Sequence, residues 1–95
     1  MAEAAKNAGT LTYTSEKKVF RYVDGEYTLT GDKVVNNGVM TEVQNGNIQK
    51  DGTYSGYFSV RMDGTEPKPN IGDVPLSEYP AVVALIAELI QALEA

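Results

Sequence analysis

The chain predicts an α+β fold: an antiparallel β-meander, then an extended proline-rich crossover, then one C-terminal amphipathic helix. Three observations carry that prediction. Five Asn-Gly or Asp-Gly pairs punctuate the first two thirds, at Asp24-Gly25, Asn37-Gly38, Asn45-Gly46, Asp51-Gly52 and Asp63-Gly64. Four prolines follow (Pro67, Pro69, Pro75 and Pro80), and the last stretch, "YPAVVALIAELIQALEA", repeats its apolar residues at helical spacing.

Residues 1–9 are small and polar and read as a flexible N-terminal arm. From Thr10 to Gly64, Thr, Tyr, Val and Phe alternate with polar residues between the turn signals. An Asn-Gly or Asp-Gly pair suits a two-residue type I′ hairpin turn, which needs positive φ at both central positions. One pair is weak evidence, but five between alternating segments predict a meander of about five to seven short strands.

The clearest hairpin is "VFRYVDGEYTLT". With Asp24-Gly25 at the turn, Tyr22 faces Tyr27 and Phe20 faces Leu29, so these four share one apolar face. The opposite face carries Val19, Arg21, Thr28 and Thr30. Around Asn45-Gly46 the pattern is thinner, with only Val43 and Ile48 as an apolar pair, which predicts an edge ribbon or a projecting polar hairpin. In "YSGYFSVRM", Tyr54, Phe58, Val60 and Met62 share a core side, and Ser55, Tyr57, Ser59 and Arg61 share the other.

Residues 65–76 hold three of the prolines, and no regular helix or central strand fits there, because proline lacks an N–H and biases its predecessor toward extended backbone. They read as an extended crossover anchored by Ile71, Val74 and Leu76. Residues 77–95 read as the helix, with Ser77 at its N-cap and Glu78 in its first turn. Residues 10–95 thus form one domain.

On a helical wheel Tyr79, Val82, Val83, Leu85, Ile86, Leu89, Ile90 and Leu93 cover an arc of about 160°. The length of about 26 Å, the internal Glu88 and the missing Lys/Arg rim argue against a membrane-spanning or interfacial helix. Two destinations remain for that arc. The helix packs on its own sheet, and its surplus apolar width serves as an interface with a second subunit or a larger assembly. As a simple coiled coil the segment is too short, with apolar residues where charge belongs.

The chain has 95 residues, no cysteine and no histidine, and 13 acids against 8 bases give a net charge of −5. Dispersed acids and few bases speak against nucleic acid as a partner. Without His or Cys the usual zinc ligands and the commonest general base are missing, and Ser15, Ser55, Ser59 and Ser77 have no histidine to activate them. No cofactor, metal or catalytic residue is expected. Most of the six tyrosines fall on predicted core faces; Tyr13 and Tyr57 are the expected exposed aromatic contacts. The N-terminus lacks an apolar signal-peptide core, so cytoplasmic synthesis is expected.

These features predict a non-catalytic structural or interaction module whose partners are proteins, through self-association or docking on a larger assembly. By compositional analogy, an accessory component of a virion or other surface assembly fits. The alternative is a small acidic inhibitor or regulator that occupies a target's basic groove. A third reading, a small hydrolase, requires a pocket with two neighbouring carboxylates, at least one with a shifted pKa.

Overall fold

In the computed structural model, which describes residues 9–13 and 18–94, six strands follow one another across a single antiparallel sheet. They are β1 (Thr10–Tyr13), β2 (Val19–Asp24), β3 (Tyr27–Asn36), β4 (Val39–Lys50), β5 (Thr53–Asp63) and β6 (Glu66–Gly72), in the spatial order β1-β2-β3-β4-β5-β6. A 3-10 turn (Leu76–Glu78) leads into helix α1 (Tyr79–Glu94). The predicted meander followed by one C-terminal helix is the observed architecture. Apart from Gly9, the predicted arm lies outside the described residues.

The turn signals act in three different ways. Asn37-Gly38 and Asp51-Gly52 occupy both central positions of their hairpins, each residue with positive φ, as a type I′ turn requires. Asp24 and Asp63 instead end their strands, pairing with Tyr27 and Glu66, so Gly25 and Gly64 take the first central position. Positive φ at that position alone belongs to type II′. In the β2–β3 hairpin this replaces the expected pairing with Tyr22↔Leu29 and Phe20↔Gly31. Moving the turn by one residue moves each partner by two, so Phe20, Tyr22 and Leu29 still share the core face.

Asn45-Gly46 is no turn. It lies inside β4, where two residues oppose one on each neighbouring strand, a β-bulge shared with β3 and β5. Asn45 has φ 56°, and Phe58 packs so closely on Gly46 that a Cβ there would lie 2.2 Å from the Phe58 carbonyl oxygen. The bulge reverses the alternation of β4, so Val43 and Ile48, an odd number of residues apart, both face the core. The expected edge ribbon is therefore a central strand of 12 residues, flanked by β3 of 10 and β5 of 11. Merging two expected short strands into one is what makes the sheet long.

A second bulge leaves Ser55 without a cross-strand partner between Ile48↔Gly56 and Gln49↔Tyr54. It turns Tyr54 away from the core face expected for it; its side chain is 52% exposed. The crossover region is also partly strand: β6 carries Pro67 and Pro69 at alternate positions on the sheet's edge. There a missing N–H costs no ladder hydrogen bond when the prolines point that position outward.

Helix α1 covers one face of the sheet. Val82, Leu85, Ile86, Leu89, Ile90 and Leu93 meet Phe20, Tyr22, Leu29, Met40, Val43, Ile48, Phe58 and Val60 in one cluster. Both helix ends are tied to β3: the Tyr27 hydroxyl donates to Glu78, and Lys33 Nζ donates to the Leu93 carbonyl at 2.5 Å. A cation at a helix C-terminus also complements its dipole. Ser77 lies inside the 3-10 turn rather than capping it; Pro75 holds the cap position with no side-chain hydrogen bond. Including that turn, Leu76–Glu94 is long and apolar enough by composition to cross a membrane, with a mean hydropathy of 1.4. Its apolar stripe is spent on the sheet.

Candidate functional site

Of the eight helix residues expected at an interface, six are core. Val82, Leu85, Ile86, Leu89, Ile90 and Leu93 are at most 5% exposed, because the sheet under them is longer and more apolar than the sequence suggested. Tyr79 and Val83 remain outward, at 40% and 41%. Leu76, expected as an anchor of the crossover, is instead 87% exposed. Tyr57 is exposed as expected, and the side chain of Tyr13 lies outside the described part of the structure.

The outward side of the helix has an unusual make-up. Between Leu76 and Gln91 its exposed residues are Leu76, Ser77, Tyr79, Pro80, Ala81, Val83, Ala84, Ala87 and Gln91. None is charged. A solvent-facing helix surface ordinarily carries charge, and Glu78 and Glu88, the two acids in this span, are both half-buried at its margins.

Glu78 is spoken for. Its carboxylate accepts from the Tyr27 hydroxyl at 3.3 Å, Ser55 Oγ at 3.2 Å and Lys50 Nζ at 3.3 Å. Partial burial pushes this carboxyl up, but the donors Lys50, Ser55 and Tyr27 outweigh it and hold it below its ordinary range. The same hydrogen bond raises Lys50, which also reaches Glu26 at 4.0 Å. A carboxylate saturated by three donors is a poor base, so the cluster clamps the helix start to β3, β4 and β5. The Ser55 hydroxyl donates to that clamped carboxylate. The neighbours of the Glu78 carboxylate that are within hydrogen-bond reach are donors, Tyr27, Lys50 and Ser55, and not the second carboxylate of a hydrolase pair. Among the described residues no group of three acids could hold a metal ion.

Two of the hollows elsewhere on the surface bear on function. Between the β2–β3 turn and the helix, Asp24, Glu26 and Glu88 rim a space of about 460 Å³. On the sheet face opposite the helix, a groove of about 680 Å³ crosses β4, β5 and β6. Its row along β5 is Ser59 and Arg61, directly opposed by Asn70 and Lys68 on β6, with Glu42 of β4 opposite Arg61. One pleat further along β5 stands Tyr57, whose ring lies across Gly72; a Cβ there would meet the ring at 2.2 Å.

What these surfaces define is a six-stranded meander with one helix-covered face, one open polar face and a helix exterior that is uncharged from Leu76 to Gln91. Comparison with protein families, curated proteins and solved structures finds no match.

Proposed function

We propose that this chain is a non-catalytic interaction module that associates with further copies of itself through the exterior of α1. The observation that carries this reading is the uncharged exposed run from Leu76 to Gln91. Ala84 and Ala87 on that surface let a second helix approach closely, and Leu76, Tyr79 and Val83 supply apolar area to bury. Size sets the strength. A helix of this length presents a strip about 24 Å long and about 10 Å wide. That is well below the roughly 800 Å² per partner of a standard interface, so association through it is weak, with a dissociation constant on the order of 0.1–1 mM. Copies held together in an assembly raise one another's effective concentration and make such a contact count.

The test is sedimentation velocity across a wide concentration range, for the native chain and for Val83→Glu. The expected result is a concentration-dependent rise in mass for the native chain and a folded monomer throughout for the variant. Leu89→Glu is the wrong probe, because Leu89 is fully buried and its substitution disrupts the core. A native chain that stays monomeric, or one that floats with neutral lipid vesicles through the same face, overturns the reading. A second reading, an acidic inhibitor, draws support from Asp24, Glu26 and Glu88 around their shared hollow. It predicts a monomer whose binding to a basic partner falls steeply with salt.

A further inference from the structure

We propose that the groove on the open face of the sheet binds neutral oligosaccharides. A pyranose ring has an apolar C–H face and an equatorial rim of hydroxyls that both donate and accept. A site for it needs an exposed ring to stack on and polar groups free to donate and accept along the same face. The open face supplies both. The Tyr57 ring rests on the Gly72 backbone, where even a Cβ would collide, and the residue as a whole is 53% exposed. A ring braced in that way offers a flat surface at little entropic cost.

Along β5 the side chains on this face run Tyr57, Ser59, Arg61, so the Cα atoms of Tyr57 and Arg61 stand about 13 Å apart. The small Ser59 between them leaves the floor low. Asn70 flanks Ser59 from β6, and among the described residues the side chains of Ser59, Arg61 and Asn70 hold no hydrogen-bond partner. Donors and acceptors are thus presented in one row, on strands rather than on loops.

Charge decides between sugar classes. Lys68 is paired with Asp63 at 3.2 Å, and Arg61 has Glu42 at the opposite register position on β4, so two cations are balanced by two carboxylates on this face. The groove is locally neutral in a chain of net charge −5. A phosphate, sulfate or uronate ligand gains no net attraction there, whereas polyol hydroxyls use both signs. The groove is also open to solvent, which limits affinity to the millimolar range expected of one stacked ring and a few exposed hydrogen bonds.

The test uses the full chain, labelled with ¹⁵N and titrated with cellotriose, maltotriose, mannotriose and triacetylchitotriose, with trigalacturonate as the acidic comparison. The expected result is that at least one neutral trisaccharide shifts the amides around Tyr57, Ser59, Asn70 and Gly72 and saturates at millimolar concentration. Tyr57→Ala should weaken that binding about tenfold or more while amides across the core keep their positions. Asn70→Ala, a second surface change, should weaken it without touching the platform. No shift with any neutral sugar, shifts that map to the helix, binding unchanged in Tyr57→Ala, or tighter binding of trigalacturonate each overturns the proposal. The outcome is independent of self-association, since Val83→Glu lies on the opposite side of the sheet and leaves this groove intact.

Discussion

Glu78 shows how a single side chain sets the helix on the sheet, and the ionic part of its role gives a pH signature. Its folded pKa is held below the ordinary value of 4.5, so its contribution is complete above that value and is lost as pH falls through the folded one. Lys50 has the opposite sign: its folded pKa is raised above 10.5, so its contribution is complete below 10.5 and lost as pH climbs through the raised value. Thermal melts of the native chain and of Glu78→Gln should therefore differ at neutral pH and converge only as acid carries the pH through the lowered folded pKa. Parallel curves across that range would mean the carboxylate does no ionic work. Two glycines separate conformational strain from collision in the same way. Gly25 has open space but φ +61°, so Gly25→Ala should cost about 1–2 kcal/mol. Gly46→Ala should cost more, because its Cβ would strike the Phe58 backbone, which cannot rotate away. Urea midpoints rank the two, and an equal loss contradicts the packing described.

At the scale of elements, alternation and turn chemistry made the meander legible, and long-range packing accounts for what they missed. The β2–β3 register differs from the expected one, yet its faces are right, because burial of Phe20, Tyr22 and Leu29 constrains parity and not the turn type. Asn45-Gly46 reads like Asn37-Gly38 in sequence. What separates them is Phe58 lying on Gly46, a contact with another strand that no local pattern reports. The Lys50–Glu78 contact joins residues 28 apart, and the open groove is assembled from three strands, so neither leaves a motif. The helix arc was legible in full, but its destination depended on how apolar β4 becomes once bulged. Deleting Asn45 tests that dependence. Without the extra residue, either Val43 or Ile48 must point to solvent, each a side chain whose burial contributes roughly 1.5–3 kcal/mol. Loss of amide dispersion in ¹H–¹⁵N spectra is expected for the deletion, against a native-like spectrum for Asn45→Gly, which keeps the bulge and its positive φ.

For the whole molecule, the sheet has one apolar face and α1 is what covers it. Among the described residues, the buried hydrophobic set draws eight side chains from the strands and six from the helix. Six buried aliphatic side chains at roughly 1.5–3 kcal/mol each amount to about 9–18 kcal/mol of gross stabilisation. The net stability of a domain is about 5–15 kcal/mol, so the helix contribution is as large as the whole margin. A meander of local hairpins cannot hold its fold against that loss, because Phe20, Tyr22, Leu29, Ile48 and Phe58 would then face water together. Sheet and helix are accordingly expected to unfold in one transition, with far-UV dichroism and tyrosine fluorescence tracing the same urea curve. A chain ending at Pro75 should be unfolded or aggregated, and adding the separate peptide of residues 76–95 should restore strand dichroism only as the peptide binds. A folded, soluble truncation would show that the sheet is stable alone, and the helix would then be free to leave it for another partner.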